Sequence, residues 1–343
     1  MLGIPTVADR IGQQVVKARI EGEFEELFHP DSYGYRPNKS AADAVAVTRE
    51  RCWKYDRCVE FDIRRAFDEL DWDLMRKVIR KHVKDPWASL YIERWLTAPA
   101  VTPDGQTVQR SKGVPQGSVV GPVLMNAYMH YAFDRWMRRQ NPQCPFARYA
   151  DDAVVHCRSR AEAERLLAAI AGRLKECKLE LHPEKSGVVY CKDSNRRGNF
   201  PRIQFTFLGF TFRPRRAQGR DGKCWTSFLP AVSAAAMQRM YRIREWHIPR
   251  QTSVALHELA THYNPTLRGW LNYYGRFYRS ALQRIFFHFD GRLLQWARRK
   301  YRNPRCNVHR RQRWRERALS RDPRLFTHWL AFGWVKVRTM GAV

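Results

Sequence analysis

The chain has 343 residues and 62 lysines and arginines against 33 acids, a formal charge of +29, yet 44% of it is apolar and 13% aromatic. A chain of this size and composition buries enough surface to fold without disulfide or metal staples, and it is not a disordered basic tail. A foldable chain with so large a cationic surplus fits a polyanionic partner, of which nucleic acid is the commonest, better than a membrane surface.

No run of eighteen apolar residues is present, and Asp9 and Arg10 stand where a secretory signal needs an apolar stretch, so a cytoplasmic protein with no membrane partner is expected. The eight cysteines form no CxxC pair and read as reduced and mostly structural. Residues 1–60 mix helical periodicity with the turn chemistry of Gly34-Tyr35-Arg36-Pro37-Asn38, after which Ser40 caps an Ala/Val-rich helix. Residues 59–63, 153–157 and 205–208 read as strands. Between them residues 160–177 place Leu167, Ile170, Leu174 and Cys177 on one helical face. This alternation predicts an α+β fold with helices packed on a small antiparallel sheet. Residues 235–343 carry few strand signals and many aromatics and arginines, so a separate helical domain is expected there. Within it, residues 291–325 hold 13 lysines and arginines against 2 acids.

The chemistry concentrates at Tyr149-Ala150-Asp151-Asp152. An Asp-Asp dipeptide alone is usually a solvated turn, but adjacent carboxylates at a hairpin tip repel unless a divalent cation neutralises them. Asp62 strengthens the case, because it interrupts the apolar strand Val59-Glu60-Phe61-Asp62-Ile63. If that strand lies beside the hairpin, Asp62 and Asp151 are placed to share two Mg²⁺ ions, as in-line phosphoryl displacement requires. Asp68, Asp71 and Asp73 read as helix-start residues. Gly113-Val114-Pro115-Gln116-Gly117-Ser118 is a Gly/Pro loop entering a helix, with Ser118 as its N-cap and backbone N–H groups free to meet phosphate or base. Alone it is an ordinary loop. His257 and His262 are five apart, about 140° around a helix, and do not make a zinc-protease pair.

These segments, in order with Leu2-Gly3-Ile4-Pro5-Thr6-Val7, Phe67-Asp68, Leu179-Glu180-Leu181-His182-Pro183-Glu184-Lys185 and Phe207-Leu208-Gly209-Phe210, resemble the successive blocks of group II intron-encoded reverse transcriptases, the maturases of bacterial retroelements. Asn264-Pro265-Thr266-Leu267-Arg268-Gly269-Trp270-Leu271-Asn272-Tyr273-Tyr274 resembles their maturase, or thumb, domain. The likeness implies a right-hand polymerase fold, with partial fingers and palm in 1–230 and an all-helical thumb in 231–343. Asp62, Asp151 and Asp152 match the palm metal-site acids, with the Ile63 carbonyl as an extra ligand. Phe67 falls where a bulky ring excludes a ribose 2′-hydroxyl, although a core phenylalanine explains it as well. Gln116, with Gly117 beside it, matches the residue touching nucleotide and template, and Lys185 the lysine near the departing pyrophosphate. Phe207-Leu208-Gly209-Phe210 matches the primer-grip strand.

The implied activity is RNA-directed DNA synthesis on two Mg²⁺ ions, with dNTPs, a DNA primer, an RNA template and intron RNA as partners. Arg268 and Arg276, interleaved with Trp270, Tyr273, Tyr274 and Phe277, are expected to face RNA while those rings form a buried stripe. Arg298 and Arg299 join the same RNA-facing set. The family carries an upstream fingers block with triphosphate-binding cations, and a Cys/His endonuclease block follows its thumb. A start at Leu2-Gly3 and a finish after Thr327-His328-Trp329 therefore read as an amino-terminally truncated element without endonuclease. A non-catalytic RNA-binding splicing factor, or an inactive fragment, is the rival reading.

Overall fold

The computed structural model describes residues 5–102, 104–115, 117–219, 221–301 and 308–332. The chain divides into two compact units, residues 1–208 with 213–228, and residues 209–212 with 229–343.

In the first unit, helices α1 (Val7–Leu27) and α2 (Ala41–Lys54) precede strand β1 (Arg57–Asp62). Ser40 does cap α2, in a reciprocal box with Asp43. Helices α3 (Ala66–Glu69), α4 (Trp72–His82) and α5 (Pro86–Thr97) follow, with Asp71 the N-cap of α4. A short ribbon of β2 (Ala100–Val101) and β3 (Thr107–Val108) leads to α6 (Gly121–Met129). A π turn over His130–Asp134 continues into α7 (Arg135–Gln140). The hairpin β4 (Phe146–Tyr149) and β5 (Asp152–Cys157), helix α8 (Arg160–Glu176) and strand β6 (Gly187–Tyr190) complete the four-stranded sheet. Its order is β4-β5-β1-β6, with every neighbour antiparallel, as the α+β expectation requires.

Strand alternation sorts β1 into two faces. Val59, Phe61 and, just beyond the strand, Ile63 enter the core, where Phe61 meets Phe133 edge-on at 5.1 Å and Phe133 meets Phe146 at 5.0 Å. Burying each such ring contributes about 1.5–3 kcal/mol, which fixes the register that the opposite face depends on. That opposite face carries Cys58, Glu60 and Asp62. Helix α8 buries Ala163, Leu166, Ile170 and Leu174, so its core stripe runs through Leu166, with Leu167 half-buried beside it.

Strands β7 (Phe205–Phe207), β8 (Phe210–Gln218) and β9 (Cys224–Val232) form a three-stranded sheet. The expected strand through Leu208 and Gly209 is instead a turn: both residues have positive φ, 51° and 79°. Glycine supplies that conformation without penalty, and the run looks like one strand because apolar residues flank it on both sides.

The described part of the second unit beyond β9 is helical: α9 (Ala234–Tyr241), α10 (Leu256–Tyr278), α11 (Gln283–Lys300), α12 (Val308–Arg321) and α13 (Thr327–Ala331). Phe286, Phe289 and Trp296 of α11 pack with Leu259, Tyr263 and Leu267 of α10 in its core. No described helix is long and apolar enough to cross a membrane.

Candidate active site

The β1–β5 register places Asp62 directly opposite Asp152. Cross-strand partners on one face hold their Cβ atoms about 4.5–5.5 Å apart, so the two carboxylates share one patch, and Asp151 adjoins it from the hairpin tip. Just past β1, Ile63 makes an isolated bridge with Leu181, and the N–H of His182 donates to the Asp62 carbonyl at 2.8 Å. This brings the following turn alongside, and Lys185 Nζ reaches Asp62 Oδ2 at 2.6 Å. Three segments far apart in the chain, carrying Asp62, the Asp151-Asp152 pair and Lys185, thus converge.

Their electrostatics follow from placement. Burial pushes the Asp152 carboxyl well above its ordinary range, and the charges of Asp62, Glu60 and Asp151 add to the shift, while the N–H of Leu208 donates to Asp152 and opposes it. Burial also raises Asp151, with Asp62 adding and Arg148 and Lys185 opposing. The hydrogen bond to Asp62 raises Lys185. Glu60, behind Asp62 on the same face, is paired with Arg202 at 2.6 Å. Three carboxylates therefore face one ammonium, and that lysine side chain is 61% exposed. An excess of hard, partly desolvated oxygen donors is the set a hard divalent cation takes.

The hairpin tip is held by groups that the sequence reading did not single out. Tyr149 pairs with Asp152, leaving Ala150 and Asp151 as a two-residue turn in which Ala150 has φ +57°. A left-handed alanine costs about 1–2 kcal/mol. Arg148, fully buried, donates to the Ala150 carbonyl at 2.8 Å and to Asn126 Oδ1 at 3.1 Å, and is paired with Asp134. Asn126 in turn donates to the Gly34 carbonyl at 2.7 Å. Gly34 packs so close that a Cβ there would sit 2.5 Å from the Ala150 nitrogen. The visible sign of this scaffold was an arginine beside apolar residues in a strand immediately before paired acids.

A model of the reverse transcriptase (RNA-dependent DNA polymerase) family matches residues 1–212. The chain belongs to that family. A model of the group II intron maturase-specific domain matches residues 237–315. The group II intron-encoded protein LtrA of Lactococcus lactis subsp. cremoris is 24% identical over a 359-residue alignment covering 80% of this chain and 58% of the relative. Protein YkfC of Escherichia coli is 28% identical over 255 residues, 63% of this chain and 64% of the relative. The chain thus spans about three-fifths of the length of these relatives. Among solved structures, an apo telomerase from Candida tropicalis truncated from its C-terminal domain aligns with 58% of this chain and 43% of its own, at 14% identity and a TM-score of 0.46.

The other predicted positions are distributed as follows. Phe67 is half-buried against the core, and its carbonyl accepts from Val114 N–H at 2.7 Å, tying it to the Gly113 loop. Gly113 has φ +84°, and a Cβ there would meet the Asp68 carbonyl oxygen at 2.6 Å. Gln116 lies outside the described residues; Gly117 is exposed with φ +99°. Ser118 is not the N-cap of α6. Val120 is, and the Ser118 hydroxyl accepts from Gly121 N–H at 3.1 Å while donating to Gln13 Oε1 at 2.9 Å, so it anchors α1 to the loop.

Leu208 and Gly209 form the β7–β8 turn described above, and the Leu208 N–H reaches Asp152. Within the second unit, Phe210 is ringed by Tyr273, Tyr274 and Phe277 at 5.2–5.4 Å, and Trp270 stacks on Trp246 at 5.8 Å. The aromatic stripe is therefore packed but only half-buried, not the buried stripe expected, while Arg268, Arg276, Arg298 and Arg299 are all exposed. Arg298 and Arg299 line one groove with Gly291, Leu294 and Gln295.

Proposed function

We propose that this reverse transcriptase extends a DNA primer on an RNA template and, through its maturase domain, binds intron RNA. The carrying observation is the register of β1 against β5, which sets Asp62 across from Asp152 with Lys185 on Asp62. Asp62, Asp151 and Asp152, with the Ile63 carbonyl, are the residues that would hold two Mg²⁺ ions. Bound there, the ions would activate the primer 3′-hydroxyl and offset charge on the leaving pyrophosphate. Lys185, exposed and protonated, is free to leave Asp62 and offer its proton to that leaving group. Phe67 would underlie the nucleotide sugar and select against a 2′-hydroxyl. Gly117, beside Gln116, would let backbone N–H groups approach the nucleotide, and the Leu208-Gly209 turn would grip the primer end near Asp152. Arg268, Arg276, Arg298 and Arg299 would meet RNA phosphates.

The test is Mg²⁺-dependent dNTP incorporation on a primed RNA template by the chain and by Asp151→Asn. Incorporation that the substitution abolishes supports the reading, whereas an unaltered rate in Asp151→Asn removes it. Intron RNA affinity should survive the same substitution and fall steeply between low and moderate salt.

A further inference from the structure

The far end of the β4–β5 hairpin gathers a second set of metal-binding groups. The His156 N–H donates to the Pro145 carbonyl at 2.8 Å, which continues the strand pairing and sets Cys144 across from Cys157. Both cysteines are buried, 3% and 0% exposed. Glu162, in the first turn of α8, closes the third side, with Oε1 3.4 Å from Cys144 Sγ. One ligand atom from each of the three lies within 4.8 Å of the others.

The carboxylate is fixed in place. Its Oε2 accepts from the Arg158 N–H at 2.7 Å, which leaves Oε1 to the Cys144 thiol and to the Gln143 amide at 3.5 Å. Glu162 is the third residue of α8, and its N–H donates to the hydroxyl of the N-cap Ser159 at 3.2 Å. Packing accounts for two buried cysteines, which behave as small apolar groups. Capping at the start of α8 accounts for Glu162 Oε2, and what remains is a carboxylate oxygen within 4.8 Å of both sulfurs.

We propose that Cys144, Cys157 and Glu162 form a site for a thiophilic divalent cation of the zinc class, separate from the aspartate site. Two sulfurs and one carboxylate oxygen suit tetrahedral coordination, with the fourth position left to water or the Gln143 amide oxygen. Binding converts two thiols to thiolates, so one metal ion enters and two protons leave to solvent. The ion would fasten the start of β4 and the end of β5 to the N-terminus of α8. It would thereby brace the strand that carries Asp152, about 16 Å away along five residues of β5.

The full chain, stripped by a chelator and kept in millimolar Mg²⁺ to occupy the aspartates, is titrated with Co²⁺. One equivalent should give a near-ultraviolet sulfur-to-cobalt band, release two protons and be displaced by Zn²⁺. Cys144→Ser and Cys157→Ser should lose the band, Glu162→Gln should weaken binding at least about tenfold, and Cys224→Ser should keep it. Because serine in the core can impair folding, a second measurement uses the unmodified sequence: Zn²⁺ should slow alkylation of Cys144 and Cys157 at least tenfold more than that of Cys52, Cys58 and Cys191. No sulfur-to-cobalt band in the full chain, a band that Cys144→Ser retains, or equal protection of all five thiols overturns the proposal.

Discussion

Arg148 and Asp134 form an ion pair from which solvent is wholly excluded, Nε to Oδ1 at 2.7 Å and Nη2 to Oδ2 at 2.6 Å. The two-pronged geometry leaves the guanidinium free to serve Ser32, Asn126 and the Ala150 carbonyl with its remaining donors. One buried cation thereby ties the π turn after α6, the Gly34 turn and the tip that carries Asp151 into a single rigid piece.

Removing the cation leaves Asp134 buried without a partner, and such losses cost about 3–5 kcal/mol. Arg148→Met should lower the urea midpoint accordingly, and Asp134→Leu in the same chain should recover a large part of the stability. Incorporation should stay depressed in the double variant, because the donor that Arg148 supplied to the Ala150 carbonyl is then missing. A double variant no more stable than Arg148→Met would show that the pair is not the source of the loss.

Lys185 makes a different prediction, because it is exposed and its loss should not unfold the protein. Lys185→Ala should leave the melting temperature within a few degrees and slow single-nucleotide incorporation about 100-fold, within the range for a positioned proton donor. Primer–template affinity should be unchanged. A single-turnover rate within twofold of the parent chain would exclude a role in pyrophosphate departure.

The acids were legible in the sequence for a physical reason. An aspartate ending an apolar strand and two more at a hairpin tip contradict local folding preference, and contradictions of that kind mark sites. The scaffold under them was not legible. Arg148 finds Asp134 across fourteen positions and Ser32 across 116, and nothing local distinguishes a buried arginine from an exposed one. The Leu208-Gly209 turn was hidden for the opposite reason: its residues look like strand, and only the backbone reversal to positive φ reveals it. Ser118 has the residue type of a cap, but its hydroxyl donates to Gln13 of α1, a partner 105 positions away that no local pattern reveals. Cys144 and Cys157 have no metal-motif spacing, since strand pairing rather than a turn brings them together.

His156 should govern part of the acid sensitivity. It is wholly buried, neither ring nitrogen has a hydrogen-bond partner among the described residues, and burial, assisted by Arg51, lowers it from 6.5 to about 3. The folded state therefore keeps the ring neutral where the unfolded chain protonates it. Stability from this group is complete above pH 6.5 and is lost as pH falls towards 3, on the order of 5 kcal/mol in all. His156→Leu should flatten that limb in denaturant titrations at successive pH values while changing stability little at pH 7. An acid limb of unaltered slope would assign the sensitivity to other groups.

Gly34 tests whether the tip must stand where it does. A Cβ at this position would lie 2.5 Å from the Ala150 nitrogen, 3.1 Å from the Tyr149 carbonyl carbon and 3.3 Å from the Tyr149 Cα. All three are backbone atoms, so no side chain can turn aside and the hairpin itself must move. Overpacking of this kind costs about 1–3 kcal/mol, which a 343-residue chain can absorb and remain folded. The displacement falls on the residue before Asp151, and misplacement by about 1 Å can cost 100-fold in rate. Gly34→Ala should therefore melt cooperatively and bind RNA with unchanged affinity, yet incorporate dNTPs about 100-fold more slowly. Full incorporation by a folded Gly34→Ala chain would mean that the tip tolerates the shift and that the packing of Gly34 on Ala150 is not part of the active geometry.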